Sequence, residues 1–153
     1  MKVKPGDVLL WTGDSALDDV VRLGTLSSFD HVGMVQPEGL TIEALPGGVQ
    51  ANPLAGRLPC LVVSRGNGSW PQGVAAFVKA TVGEPYSYLN DLMAALQLPA
   101  VTDTEWECAQ LTLKLLRLLG EQPPADLPNT PQAVFQWLMF QGYTMQYITA
   151  LEN

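Results

Sequence analysis

Short apolar runs bounded by turn residues recur along the chain, and they predict β-strands. Val8–Trp11 and Cys60–Ser64 are almost entirely apolar, which is typical of strands buried on both faces. His31–Val35 and Leu40–Leu45 flank a turn that contains proline and glycine, so they predict an antiparallel hairpin. Residues 143–149 alternate in polarity and predict a final strand.

Apolar residues at helical spacing, together with capping residues, predict helices between and after these strands. Gly83 and Gly120 stand where two of these helices should stop. The predicted helices are residues 14–23, capped by Asp14 or Ser15; residues 71–82, capped by Ser69; residues 88–98; residues 104–119, opened by a capping box of Thr104 and Glu107; and a helix with Thr130 as its cap and Pro131 in its first position. The pattern predicts an α+β fold, with a small, mostly antiparallel sheet packed against helices in a single domain of residues 1–153.

Composition and charge narrow the classes of function. Hydrophobic residues make up 47% of the chain and charged residues 15%, which is typical of a protein with a buried core. A net charge of −7, with only 8 Lys and Arg, argues against a nucleic-acid partner. The sequence shows neither a signal peptide nor an apolar stretch of about 20 residues, so we expect no stable membrane insertion and a protein that is cytoplasmic as made. One histidine and two separated cysteines give no zinc-ligand spacing, so no metal or cofactor is expected.

Two residues suited to nucleophilic chemistry stand out, His31 and Cys108. His31 is the only histidine and lies on a predicted strand, whereas Cys108 lies near the start of a predicted helix. The positive end of a helix and a nearby imidazolium both lower the pKa of a thiol, and the thiolate is the nucleophile. The alternatives are structural. Cys108 shares an apolar helical stripe with Leu111 and Leu115, and a lone strand histidine often bonds a backbone carbonyl.

A catalytic imidazole needs a third group that fixes its orientation, and Glu43 is the candidate. If residues 36–38 form the hairpin loop, His31 lies directly opposite Glu43. A loop one residue longer would turn Glu43 to the other face of the sheet. The alternative for Glu43 is a solvated carboxylate on a polar strand face. Gly33 shares the face of His31 and is expected to leave room for a helix end to approach.

In their order along the chain, these residues resemble the circularly permuted branch of the papain-like fold. These are the permuted NlpC-type cysteine hydrolases, which are related to lecithin retinol acyltransferase-like enzymes. The resemblance covers nearly the whole chain through short motifs. The matching segments are Gly6-Asp7-Val8-Leu9-Leu10, Ser28-Phe29-Asp30-His31-Val32-Gly33-Met34-Val35, Ile42-Glu43-Ala44 with Gly47-Gly48-Val49, Gly83-Glu84-Pro85-Tyr86, Trp106-Glu107-Cys108 and Thr130-Pro131.

The resemblance implies a role for each candidate residue. Cys108 would be the nucleophile, His31 the base and Glu43 the residue that orients the imidazole. Tyr86 would lie near the oxyanion site, although a half-buried structural tyrosine is the alternative. The family often has serine and then glutamate after its cysteine, whereas this chain has Ala109 and glutamine. Ala109 still offers a backbone N–H to an oxyanion, so the departure concerns the substrate pocket and the activity itself.

The resemblance also implies an activity, that of a thiol-dependent hydrolase acting through a thioester. The expected substrate is an amide or peptide bond in bacterial cell-wall peptide. The alternatives are a lipid acyl hydrolase or acyltransferase, and a catalytically degenerate module for binding or assembly, such as a phage-tail component. A phage particle or a secretion machine would then be a partner that delivers the protein. A redox pair of Cys60 and Cys108 is a further alternative, and nothing in the sequence brings these two cysteines together.

Overall fold

One antiparallel sheet organises the structure, a computed structural model that describes residues 2–12, 28–66, 68–87 and 105–151. Every neighbouring pair of its six strands is antiparallel, and their spatial order is β4-β3-β2-β1-β5-β6. The strands are β1 (Val8–Trp11), β2 (His31–Val35), β3 (Leu40–Leu45), β4 (Gly48–Pro53), β5 (Cys60–Ser64) and β6 (Thr144–Ile148). Five of these six strands were predicted from their apolar or alternating patterns, whereas β4 was not predicted. The α+β class is confirmed.

Three described helices pack on one face of the sheet, which we call the helical face. They are α1 (Gln72–Thr81), α2 (Cys108–Leu118) and α3 (Pro131–Phe140). On β2, the side chains of Val32 and Met34 belong to this core, together with buried residues of all three helices. α2 lies against β2 and β3. The hydrophobic stripe of α2 thus docks onto the centre of the sheet.

The opposite face of the sheet carries a second, smaller core. Its buried members include Leu9, Val35 and Val62, which alternate along their strands with the residues of the helical face. Leu54, in the short 3-10 turn Leu54–Arg57, also packs into this core. β1 and β5 contribute residues to both cores, so both of their faces are covered and their sequences are almost entirely apolar, as the sequence pattern indicated.

Of the predicted helix caps that the structure describes, one is present and the others are not. Thr130 does cap α3, since its side chain accepts a hydrogen bond of 3.2 Å from Ala133 N. The predicted cap at Ser69 is wrong, because α1 begins after Pro71 and has no side-chain cap. The predicted start at residue 104 is also wrong. α2 begins at Cys108, and extended Glu107 takes the N-cap position without a side-chain cap bond.

Two predicted helices, residues 14–23 and 88–98, lie outside the described residues, and so does Thr104. Within the described ranges, no helix combines the length and the apolar character that crossing a bilayer requires.

Candidate functional site

His31 and Glu43 form a hydrogen-bonded pair on the face opposite the helices. His31 Nε2 and Glu43 Oε2 are 2.9 Å apart. The glutamate side chain is fully buried, and the histidine side chain is 15% exposed. The predicted partnership between these two residues is therefore present in the structure.

The register that joins the pair differs from the predicted one. Met34 pairs with Ile42, and Val35 with Thr41. If this register continues, Glu43 lies opposite Gly33 rather than opposite His31. The predicted three-residue loop is wrong, because the last paired residues, Val35 and Thr41, enclose the five residues 36–40, which include the 3-10 turn Pro37–Gly39. The error shifts the strand by two residues, so Glu43 keeps its predicted face and bonds His31 diagonally.

Gly33 makes room for Glu43, and not for the helix end that the sequence analysis expected. A Cβ atom on Gly33 would lie 2.7 Å from Glu43 Cγ and 3.0 Å from the carbonyl oxygen of Ile42. Contacts that short would force the carboxylate to move. The absence of a side chain at this position therefore allows the carboxylate to cross the strand and reach His31.

The Glu43 carboxylate is held from several sides. Arg57 Nη2 donates to Oε2 at 2.6 Å, and Arg57 Nε donates to Oε1 at 2.9 Å. The hydroxyl of Thr41 donates to Oε1 at 2.5 Å. Burial would raise the pKa of Glu43, but the hydrogen bonds from His31, Arg57 and Thr41 and the charge of His31 together lower it to about 2. Glu43 is therefore ionised at any physiological pH.

The ionisation of Glu43 fixes the proton on the neutral imidazole. An ionised carboxylate can only accept hydrogen bonds, so His31 Nε2 must be the donor. In the neutral ring, the lone pair then lies on Nδ1, on the opposite side of the ring from Glu43. His31 is also the first residue of β2, so its ring stands at the end of the strand.

An indole and a guanidinium complete the surroundings of the pair. The rings of Trp11 and His31 are 5.1 Å apart between centroids, and the guanidinium carbon of Arg57 lies 5.0 Å from the centroid of the indole. Trp11 Nε1 also donates to the carbonyl oxygen of Arg57 at 2.6 Å. Sequence reasoning missed both residues. Their roles depend on the docking of the Leu54–Arg57 turn against the sheet, which no local pattern indicates.

Cys108 lies on the helical side of the sheet. It is the first residue of α2, it is 5% exposed, and it belongs to the same core as Val32 and Met34. Side chains alternate along β2, so His31 points to the other face from Val32. The structure thus brings His31 and Glu43 together, whereas Cys108 stands at the N-terminus of the helix that crosses the same strand.

The two predicted oxyanion residues, Tyr86 and Ala109, lie on either side of the cysteine turn. Tyr86 is half-buried and forms an isolated parallel bridge with Trp106, two residues before Cys108. Ala109 is fully buried in the first turn of α2. N–H groups in the first turn of a helix have no acceptor within that helix. The N–H of Ala109 is one of these first-turn groups.

A buried acid directly precedes the cysteine. Glu107 is 1% exposed, and its Oε1 accepts a hydrogen bond of 2.9 Å from Asn129 Nδ2. Its Oε2 is buried without a hydrogen-bond partner. Burial raises the pKa of Glu107 to about 7, against the lowering effect of the bond from Asn129. Glu107 does not have its predicted role in a capping box, because it stands at the N-cap position and makes no side-chain cap bond.

The second cysteine, Cys60, has a buried thiol with a raised pKa. Cys60 begins β5, is 1% exposed and lies on the same face of the sheet as Glu43. Burial and the charge of Glu43 raise the pKa of its thiol to about 11, so it stays protonated at neutral pH. Within the described ranges, no group of three or more His, Cys, Asp and Glu side chains is arranged to hold a metal ion.

Together, the fold and the site define a class: an α+β protein whose antiparallel sheet carries helices on one face and a buried histidine–glutamate pair on the other. No protein-family model matches the sequence, and no curated protein gives a significant match. Among solved structures, the chain is similar to the crystal structure of metalloprotein YiiX from Escherichia coli O157:H7, DUF1105. The TM-score is 0.71 at 18% identity, over 99% of this chain and 100% of that chain. At this identity the likeness concerns the fold.

Proposed function

We propose that this chain is a cysteine hydrolase with a permuted papain-like architecture, which cleaves an amide or peptide bond through a thioester on Cys108. The observation that carries the proposal is the bond of 2.9 Å between His31 Nε2 and Glu43 Oε2. It provides an imidazole whose tautomer is fixed by an ionised carboxylate and whose Nδ1 is left to act as a base. This is the arrangement that activates a nucleophile in acyl transfer.

The reaction proceeds in two halves. In the first, Cys108 Sγ gives its proton to His31 Nδ1 and attacks the carbonyl carbon, while first-turn N–H groups such as that of Ala109, with Tyr86, stabilise the oxyanion. His31 then returns the proton to the leaving amine, and the thioester remains. In the second half, His31 deprotonates a water that attacks the thioester, and the acid product leaves as the thiol is restored.

The mechanism places one demand on the geometry. Cys108 lies on the helical face of the sheet and the His31 side chain points to the opposite face. Sγ must therefore reach Nδ1 around the end of β2. Two features support this contact. His31 is the first residue of β2, and Cys108 is the first residue of the helix that packs on β2.

Cell-wall peptide is the substrate class that we favour. The resemblance to permuted NlpC-type hydrolases supports it, and lipid acyl esters are the second substrate class. The test is to incubate the protein with purified peptidoglycan fragments and with acyl lipids, and to identify products by mass spectrometry. New amine and carboxyl ends in the peptide arm support the proposal. Release of fatty acid in the lipid arm alone would assign the second substrate class.

The second cysteine of the chain, Cys60, provides a matched control for the mechanism. Cys108→Ala should abolish turnover, whereas Cys60→Ala should retain it, because the Cys60 thiol is buried and has a pKa of about 11. Both variants should give circular dichroism spectra like that of the parent protein. Full activity in Cys108→Ala would refute the thioester mechanism.

A second candidate is a binding or assembly module without catalytic activity, and the burial of Cys108 in the helical-face core favours it. A phage-tail or secretion-machine component would be of this kind. Alkylation by iodoacetamide across pH separates the two functions. Rapid alkylation of Cys108 at neutral pH that slows in His31→Gln supports the hydrolase. A thiol that is inert in both proteins supports the module.

A further inference from the structure

Four side chains, those of the histidine–glutamate pair and of two neighbours, form a closed ring of contacts. His31 bonds Glu43, Glu43 is bonded by Arg57, the Arg57 guanidinium lies over Trp11, and Trp11 lies against His31. The carbonyl oxygen of Arg57 also accepts the indole N–H of Trp11. Each member of the ring is therefore held by two others.

Within this ring, Arg57 controls the orientation of the carboxylate. Its Nε and Nη2 atoms grip both oxygens of Glu43 as a fork, at 2.9 Å and 2.6 Å. Such bidentate pairs are directional, because the guanidinium and the carboxylate must be coplanar. Thr41 occupies a further acceptor position on Oε1. The carboxylate therefore has one orientation, in which Oε2 faces His31.

Arg57 also balances the charge of a group that has no exposure to water. An isolated carboxylate at a fully buried position strongly favours its protonated form. A protonated Glu43 could donate its proton to Nε2, and the imidazole would then carry its own proton on Nδ1. Such an exchange of tautomer would remove the free lone pair from Nδ1.

We propose that Arg57 is a positioning residue for His31, acting through Glu43: it keeps the carboxylate ionised and oriented, so that the imidazole holds its proton on Nε2 and presents Nδ1 as a base. The catalytic meaning of this role rests on the proposed function. The tautomer itself does not, because it is a property of the folded chain in the absence of any substrate.

The single histidine makes the test direct, since the ¹⁵N spectrum contains only one imidazole. The ¹⁵N shifts of the two ring nitrogens in the neutral form distinguish the Nε2–H tautomer from the Nδ1–H tautomer. The parent protein should show the Nε2–H tautomer. In Arg57→Gln the two shifts should move toward each other as the tautomers mix. Arg57→Lys supplies the positive charge without the two-pronged hydrogen bond. Its imidazole shifts should lie between those of the parent protein and those of Arg57→Gln.

Arg117→Gln is the matched control, because Arg117 is exposed on α2 and its side chain donates to the carbonyl oxygen of Pro124 at 3.4 Å. It should leave the imidazole shifts unchanged. An unchanged Nε2–H tautomer in folded Arg57→Gln, or in folded Arg57→Lys if the first variant does not fold, would overturn the positioning role. If Cys108→Ala keeps full activity, the hydrolase proposal fails while the imidazole spectrum still decides the role of Arg57.

Discussion

Replacing Glu107 with glutamine should change how the stability of the chain depends on pH. In the folded chain, burial raises the pKa of this carboxyl from 4.5 to about 7. Between these two values the folded state binds more protons than the unfolded state, so the free energy of unfolding falls as pH rises. The stabilising effect of the proton is complete below pH 4.5 and is lost as the pH passes 7.

The size of the effect follows from the two pKa values. A difference of about 2.5 pH units, at about 1.4 kcal/mol for each unit, corresponds to about 3–4 kcal/mol in total, of which about 3 kcal/mol falls between pH 4.5 and pH 8. The side chain is only 1% exposed, so solvent screening reduces this figure little. Glu107→Gln has the same shape and does not ionise. Its free energy of unfolding should therefore exceed that of the parent protein at pH 8 by up to about 3 kcal/mol more than it does at pH 4.5.

Urea unfolding followed by circular dichroism, at pH 4.5, 6, 7 and 8, measures this difference. Glu38→Gln is the control for the loss of one negative charge, because Glu38 is exposed in the β2–β3 turn. The control should follow the pH dependence of the parent protein. If Glu107→Gln and the parent protein give parallel curves, Glu107 ionises normally and the argument from its burial is wrong.

Two further substitutions test the local geometry. Gly33→Ala should destabilise the fold by about 1–3 kcal/mol and disturb the imidazole ¹⁵N shifts, because the new methyl group would overlap the Glu43 side chain; Gly56→Ala, where a Cβ has no neighbour within 4 Å, should do neither. Thr130→Ala should lower the free energy of unfolding by about 1 kcal/mol through loss of the α3 cap, whereas Gln136→Ala, on the exposed side of α3, should not lower it. Thermal unfolding measures all four variants, and an unaltered stability in Gly33→Ala or Thr130→Ala would contradict the corresponding contact.

Elements whose signals are local could be predicted from the sequence. The cap at Thr130 needs only the residues that follow it, and strands such as β1 and β5 need only their own apolar runs. β4 has no such run, and its pairing with β3 was not predicted. The start of α2 needs more. Trp106 N donates to the carbonyl oxygen of Pro85, and Ser87 N donates to that of Trp106. This pairing holds the residues before Cys108 in extended form, and a distant segment supplies it, so no capping pattern could reveal it.

The histidine–glutamate pair could be predicted for a reason that does not depend on the exact loop. Strand side chains alternate with a period of two, so an error of two residues in register leaves every residue on its face. The loop is longer than predicted because Glu38 and Gly39 both adopt left-handed backbone conformations, with φ of 64° and 70°. A glutamate in that conformation carries no sequence signal. The role of Arg57 could not be predicted for a different reason. Its contact with Glu43 depends on how the separate turn Leu54–Arg57 docks against the sheet.

The same alternation bears on the catalytic proposal, because it assigns the apolar stripe of α2 to the face of Val32 and Met34 and the imidazole to the other face. In mid-strand, two such groups would be separated by the backbone of the sheet itself. The end of a strand is the one place where a side chain can reach past that barrier, and His31 begins β2. A nucleophile that meets His31 at this strand end must lie in the first residue of its helix. Residues further along the helix lie over the face of the sheet, behind its backbone. Cys108 occupies that position, so the geometry limits a thiol–imidazole contact to this one edge of the molecule.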